Sequence, residues 1–171
     1  WAVVSCPASG RRVSGLLGRQ FTIAGRWFSS VPGEPWPNRL YAVAGSAAGS
    51  RDGKALPIYS KETFVRQLDA LNVTWKGYGD PQHRTLSQSD GNYRSSPNYE
   101  QLRGPHMSFF GDAQRGQLPS VSWIDPAFYS NDDHPTTDVA HGQALVSLVY
   151  SALAKSPQWS KTLLVVVYDE H

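Results

Sequence analysis

The sequence predicts an α/β fold, a layered domain in which helices flank a mostly parallel central sheet. The first observation is the run 163–167, which is apolar throughout and rich in β-branched residues, as is typical of a central strand covered on both faces. The second is that a helical pattern at 61–71 is followed at once by a strand pattern at 73–78. The third is a later repeat of this alternation, in which the strand pattern 118–124 precedes a helical pattern at 135–155.

Two stretches between these elements predict loops. Residues 26–37 contain three prolines within six residues, which predicts a rigid aromatic loop without regular structure. Its aromatic side chains suit either the lining of an apolar substrate cleft or packing in the core. Residues 79–104 are polar and rich in Ser, Asn, Gly and Pro, which predicts a long surface loop at the border of a substrate cleft.

Length and composition limit the class of protein. The 171 residues suit one α/β domain over 1–171 with a sizeable core. A net charge of +2 with scattered Lys and Arg argues against nucleic acid as a partner. The single cysteine, Cys6, excludes an internal disulfide and a cysteine zinc cluster. No apolar run approaches the about 20 residues that cross a membrane, and the chain shows no signal-peptide pattern.

Polar residues follow two of the predicted strands. Asp169, Glu170 and His171 follow the run 163–167 after Tyr168, and Asp125 directly follows the strand pattern 118–124. Ligands of open α/β sheets bind beyond the carboxyl ends of the strands, so these residues are candidates for an active site. Composition alone supports equally well that they are ordinary polar residues which close a strand into a loop.

Small residues surround Ser46. Such crowding lets the backbone approach a ligand closely, and amides at a helix start can hold an anion. A helix packing contact between small residues is the alternative, and composition alone favours it. Ser46 does not lie in a Gly-x-Ser-x-Gly nucleophile elbow, because Ala44 and Ala48 occupy the flanking positions, and no phosphate loop follows.

A histidine with acidic neighbours lies between the last two strand patterns. Asp132 and Asp133 precede His134, and two acids beside a histidine can fix its tautomer and raise its basicity. Asp138 then suits the first turn of a helix.

Several stretches in the same order resemble one family, the phosphoesterases that comprise bacterial phospholipases C, plant non-specific phospholipases C and related acid phosphatases of the alkaline phosphatase superfamily. The resemblance covers most of residues 13–171, and its long motifs are more specific than a lone motif. The matching stretches are Arg26-Trp27-Phe28, Pro37-Asn38-Arg39-Leu40-Tyr41, Gly45-Ser46, Val73-Thr74-Trp75-Lys76, Leu118-Pro119-Ser120, Asn131-Asp132-Asp133-His134-Pro135 and Tyr168-Asp169-Glu170-His171.

The resemblance implies an alkaline-phosphatase-like core and a set of site residues. Ser46 matches the nucleophile, which also touches the metal, and His134 matches the histidine at the phosphoryl group. Asp169 and Glu170 match the metal-binding carboxylates. Residues of the same motifs are expected to contact substrate, namely Asn38, Asp133 and His171.

Two departures from the family pattern affect these expectations. The Glu-Asn-x-Ser-Phe-Asp-His motif near the family's N-terminus, whose Glu and Asn also bind the metal, is not found here. Family members also continue beyond Tyr-Asp-Glu-His. We therefore expect an incomplete core, truncated at both ends, with an exposed sheet edge that permits a homo-oligomer.

The expected function is a metal-dependent phosphoric ester hydrolase, of phospholipase C or phosphatase type, acting through a serine nucleophile. A divalent cation (Ca, Zn or Mg) is the implied cofactor, since it can lower the pKa of a hydroxyl nucleophile. The implied partners are a phospholipid or phosphomonoester substrate and a membrane surface, and the implied source is a secreted or periplasmic bacterial protein, with a cytoplasmic location left open. The alternatives are a non-catalytic remnant that binds phosphate or lipid, and a metal-independent serine esterase.

Overall fold

The α/β class predicted from the sequence is confirmed by a computed structural model, which describes residues 12–47, 49–50, 59, 61–80, 84–102 and 108–170. Within those ranges helices and short strands alternate, and single 3₁₀ turns follow α4 and α6. The elements are α1 Arg12–Gln20, α2 Pro35–Ala44, α3 Phe64–Ala70, β1 Trp75–Tyr78, α4 Thr85–Ser89, β2 Tyr99–Glu100, α5 Phe109–Arg115, β3 Val121–Ile124 and α6 Val139–Ala154.

The three described strands form a parallel sheet in the order β2-β1-β3. The central strand β1 pairs with β3 along its full length, from Trp75 opposite Val121 to Tyr78 opposite Ile124. It pairs with β2 at its C-terminal half, where Gly77 lies opposite Tyr99. Helices α4 and α5 lie in the two connections, as crossovers between parallel strands require. The carboxyl ends of all three strands therefore meet at one edge of the sheet.

Two apolar clusters cover the faces of β1. Because side chains alternate along a strand, Trp75 and Tyr78 point to opposite faces. Trp75 packs in a cluster with Val65 and Leu86. Tyr78 packs with Phe109 of α5 and with Val149 and Leu153 of α6.

The run 163–167 departs from its prediction as a buried central strand. In the structure it forms no regular element, and Leu163 is 86% exposed and Val165 64% exposed. Leu164 packs against the Tyr78 cluster. The prediction was wrong because an apolar run is buried only where other elements pack on both of its faces. Within the described ranges few residues pack against this run.

The prediction of one long surface loop over 79–104 was also wrong for its described part. Residues 84–100 include α4 and β2, and polar residues such as Asp90 are buried there. Asp90 accepts hydrogen bonds from Arg66 Nε (2.6 Å) and Nη2 (3.0 Å), which makes its burial tolerable. The polar composition of this stretch therefore predicted contact with solvent, whereas the fold supplies hydrogen-bond partners within the protein. Residues 81–83 and 103–104 lie outside the described ranges.

The proline-rich stretch 26–37 is a loop only as far as Glu34. Pro35 begins α2, and Pro37 lies in its first turn. Proline fits there because the first amides of a helix have no intrahelical partner. Among the residues the structure describes, no helix has the length and apolarity to cross a membrane.

Candidate functional site

A buried carboxylate lies at the carboxyl end of β3. Asp125 accepts hydrogen bonds from the Thr85 amide (3.0 Å), the Thr85 hydroxyl (2.6 Å) and Trp123 Nε1 (3.1 Å). Burial raises the pKa of Asp125 above its ordinary value, and the hydrogen bonds from Thr85 oppose this only in part. Gly79, at the end of β1, fits closely against it, since a Cβ there would lie 3.0 Å from the Asp125 carbonyl oxygen. Asp125, the polar residue that the sequence predicted at this strand end, is therefore buried and hydrogen-bonded within the protein.

An arginine from α2 lies beside this edge. Arg39 Nε donates to Asp169 Oδ2, and Arg39 Nη1 lies 3.5 Å from the Thr85 hydroxyl. Its guanidinium carbon lies 4.6 Å from the ring centre of Phe128 and 5.5 Å from that of Trp36. The Arg39 side chain is 13% exposed and that of Asp169 is 28% exposed. A largely buried cation thus fixes one of the two carboxylates that were expected to bind a metal.

The loop before α6 carries His134. Asp132 accepts hydrogen bonds from the backbone amides of Tyr129 (2.9 Å) and His134 (3.3 Å), and the Tyr129 ring lies edge-on to the imidazole at 5.1 Å. His134 Nδ1 contacts the Pro135 carbonyl oxygen. Because a carbonyl can only accept, this contact requires a proton on Nδ1, and in the neutral imidazole Nε2 is then the acceptor. The tautomer is therefore fixed by a backbone carbonyl, whereas the prediction assigned this role to the acids.

Asp133 connects this loop to α6 and to the end of the described chain. Its Oδ2 accepts a hydrogen bond from the Tyr168 hydroxyl at 3.0 Å. Its Oδ1 is buried without a hydrogen-bond partner. A Cβ on Gly142 would lie 2.1 Å from that oxygen, so only glycine leaves room for the carboxylate. Asp133 has a φ of +60°, a backbone conformation that few non-glycine residues adopt.

Tyr168 and Asp169 bring the two groups together. Tyr168 binds Asp133 in the His134 loop, and the adjacent Asp169 binds Arg39 on α2. Glu170 follows directly along the chain. The sequence-predicted residues Asp133, Asp169 and Glu170 thus lie in one region of the structure, with His134 next to Asp133.

Ser46 lies two residues beyond the end of the helix that carries Arg39. Gly45, with a φ of +68°, ends α2 in the left-handed conformation, and Ser46 is exposed. The interpretation of Ser46 as part of a helix start was therefore wrong, because the small residues around it terminate a helix. Arg39 thus lies on α2, and the candidate nucleophile follows the end of the same helix.

The remaining substrate-contact predictions have different outcomes. Asn38 is 6% exposed, and its side chain bonds the backbone of Val31 through Oδ1 (2.9 Å) and Nδ2 (3.1 Å). These bonds use both ends of the amide within the protein and give Asn38 a structural role, while the expected substrate contact stays a prediction. His171 lies outside the described residues.

The described residues fit a divalent-cation site only in part. Asp169 and Glu170 offer hard carboxylate oxygens of the kind that such cations prefer. Within the described ranges, however, no group of three or more His, Cys, Asp and Glu side chains is placed to hold a metal ion. The metal dependence expected from sequence therefore stays a prediction.

Sequence reasoning missed the part played by Arg39 and Thr85. Arg39 lies inside a quoted motif, but its aromatic neighbours and its acidic partner are distant in sequence. Thr85 lies in the stretch that polar composition assigned to a loop. A helical pattern that begins at Thr85 would have been the signal, because α4 brings Thr85 into contact with Asp125 at the carboxyl end of β3.

Comparisons with known proteins agree on one family. Residues 10–171 match the Phosphoesterase family. The chain is 37% identical to non-specific phospholipase C6 of Arabidopsis thaliana over 91% of its own length and 31% of the relative. It is 36% identical to non-specific phospholipase C3 of the same plant, again over 91% and 31% of the two lengths. It is 29% identical to non-hemolytic phospholipase C of Burkholderia pseudomallei, over 91% and 28%. The chain thus spans about a third of the length of the relatives it matches.

Proposed function

Because this chain belongs to the Phosphoesterase family, we propose that it carries part of the machinery of a phosphoric ester hydrolase that uses Ser46 as nucleophile. The observation that carries the proposal is the pair of contacts made by Tyr168 and Asp169, which join the His134 loop to Arg39. Through these contacts Asp133, with His134 next to it in the chain, is linked to Asp169 and to Arg39 of α2. The names of the matching phospholipases C support the reaction class.

The reaction would proceed in two displacements. The Ser46 oxygen attacks phosphorus, the bond from phosphorus to the leaving alcohol oxygen breaks, and a phosphoserine forms. Water then attacks that phosphorus, releases phosphate or a phosphomonoester and restores the Ser46 hydroxyl. His134 Nε2, left as an acceptor by the contact at Nδ1, can take a proton from the attacking oxygen and return it to the leaving oxygen.

Carboxylates near the phosphoryl group need a positive charge to offset them. Asp169 and Glu170 would hold a divalent cation, which when bound lowers the pKa of a hydroxyl and neutralises phosphoryl charge. Arg39 keeps the Asp169 carboxylate oriented and its charge compensated. The partial fit of the described residues implies that further ligands come from outside the described ranges.

The substrate class and the location follow from the same proposal. A phospholipid is the favoured substrate, because the relatives compared above are named as phospholipases C of plants and bacteria. A soluble phosphomonoester is the other substrate class. A secreted or periplasmic protein would meet such lipids at a membrane surface.

One observation favours a second candidate function. Asp169 is already paired with Arg39, and the described residues supply no third metal-binding side chain. A scaffold that binds a phosphate group or a lipid without hydrolysing it would have the same features.

Hydrolysis assays separate these functions. Purified protein is given phosphatidylcholine, a chromogenic phosphomonoester and a chromogenic carboxylic ester, each with and without chelator. The proposal predicts chelator-sensitive turnover of a phosphoric ester that Ser46→Ala abolishes and that the matched exposed-serine control Ser160→Ala retains. Turnover of the carboxylic ester alone, insensitive to chelator, would support a serine esterase, and folded protein without turnover would support the binding scaffold.

A further inference from the structure

The loop that follows α1 exposes large apolar side chains at high density. All residues of the segment 21–30, hereafter the apolar loop, are exposed. Its large apolar side chains are exposed by at least half, namely Phe21 (50%), Ile23 (70%), Trp27 (68%) and Phe28 (52%). Scattered exposed apolar residues are ordinary, but such a concentration marks an interaction surface.

The start of the apolar loop is held against the body of the protein. The Phe21 ring packs edge-on against Tyr150 of α6, with ring centres 5.9 Å apart. The Ile23 side chain lies against α1, where a Cβ on Gly18 would come within 2.7 Å of it. The Trp27 amide donates to the Ala24 carbonyl at 3.1 Å and closes a turn. These contacts hold the apolar loop against the protein while the Trp27 side chain stays exposed.

The charged residues of the chain up to residue 33 have one sign. Residues 1–33 contain four arginines and no acidic residue, and Glu34 is the first acid of the chain. Arg26 lies within the loop and Arg19 precedes it, both exposed. The whole chain carries only +2, so the remainder is net negative. Two exposed positive charges, those of Arg19 and Arg26, therefore lie in the same stretch of chain as the exposed apolar side chains.

We propose that the apolar loop is the surface through which this protein docks on an anionic phospholipid membrane. Tryptophan and phenylalanine enter the interface between headgroups and acyl chains, and arginines beside them interact with anionic headgroups. A second copy of the chain fits less well, because it would place like charges against each other. Docking is independent of hydrolysis, so its failure and the failure of the proposed function are measured separately.

Vesicle sedimentation tests the docking directly. The chain is mixed with sucrose-loaded vesicles of phosphatidylcholine alone or of phosphatidylcholine with phosphatidylglycerol. Binding is expected to require phosphatidylglycerol and to fall with added salt. Trp27→Ala and Arg26→Glu should each weaken the binding about tenfold. The matched controls Leu71→Ala, at a side chain 72% exposed, and Arg94→Glu, at another exposed arginine, should bind as the unaltered chain does.

Fluorescence quenching by brominated lipids identifies the inserted residue. Trp27 is the most exposed described tryptophan, whereas Trp36 and Trp75 are buried. Emission should be quenched on vesicle binding, and Trp27→Phe should keep the binding but lose most of the quenching. Circular dichroism verifies that each variant is folded.

Three results would overturn the proposal. They are no binding to either vesicle, equal binding by Trp27→Ala and the unaltered chain, and a concentration-dependent dimer that Trp27→Ala dissolves while vesicles leave it unaffected. The last result would assign the surface to self-association.

Discussion

Arg39 on α2 donates a hydrogen bond from Nε to the Asp169 carboxylate, across 130 positions of the sequence. The same guanidinium lies over the rings of Phe128 and Trp36, and both contacts restrict its orientation. This ion pair fixes the segment 168–170 beside the helix that leads to Ser46. The candidate site therefore depends on a contact between two residues that are distant in sequence, which no local sequence pattern can predict.

Replacing Arg39 by Met should destabilise the protein by about 1–2 kcal/mol, because Asp169 loses its cation while partial exposure limits the cost. Urea unfolding measures the change. Arg94→Met, at an exposed arginine, serves as the control and should be near neutral. An Arg39→Met protein as stable as the unaltered one would show that the pair contributes nothing to folding.

Lys76 on β1 compensates two buried carboxylates. Its Nζ lies 2.7 Å from Asp112 and 2.8 Å from Glu100. Burial opposes ionisation of Asp112, yet the hydrogen bonds from Lys76 and Tyr78 outweigh burial and lower its pKa. The pair therefore stabilises the fold above the ordinary aspartate pKa, and this contribution is lost as pH falls through the lowered value.

Lys76→Met should cost about 3 kcal/mol at neutral pH, since it leaves buried Glu100 without this cation and leaves buried Asp112 with only Arg115 as a cationic partner. The cost should shrink on acidification, because protonated carboxyl groups need no compensation. Unfolding free energies at pH 7 and near pH 4 test this. A cost independent of pH would mean that lost packing, and not charge, explains the effect.

Gly142 leaves space for Asp133. Gly142→Ala brings a methyl group onto the Asp133 carboxylate and should destabilise the protein by about 1–3 kcal/mol. It should also lower hydrolysis, because Asp133 holds Tyr168 next to Asp169. Gly15→Ala is the matched helical control, since its Cβ would meet nothing within 4 Å. That control should be neutral or stabilising by up to about 1 kcal/mol, and equal effects of the two substitutions would contradict the packing argument.

Local periodicity was sufficient to predict the α/β class, because the patterns for α3 with β1 and for β3 with α6 come from near neighbours in sequence. It was not sufficient for the burial of Asp90 or Asp125, since their partners Arg66 and Thr85 are set by tertiary contacts. Composition alone therefore assigned the stretch that contains Asp90 to solvent.

The candidate site was predictable in part from the sequence. Position at a strand end singled out Asp169 and Glu170, acidic neighbours singled out His134, and the resemblance assigned roles to them and to Ser46. Their supporting contacts came from the structure. Asn38 shows the limit of a motif, since a residue within one can serve the backbone of the neighbouring loop. The run 163–167 shows the limit of hydropathy. An apolar run favours burial, but its sequence does not show whether other elements pack over it.

Trapping of the covalent intermediate is the most direct test of Ser46 as the nucleophile. The protein is mixed with a phosphoric ester substrate, quenched in acid and digested, and the peptide that contains residue 46 is sequenced by mass spectrometry. We expect a phosphoryl group on Ser46 that forms with substrate and is absent after chelation and in Ser46→Ala. Turnover without a phosphoryl group on Ser46, or with the group on another residue, would contradict it.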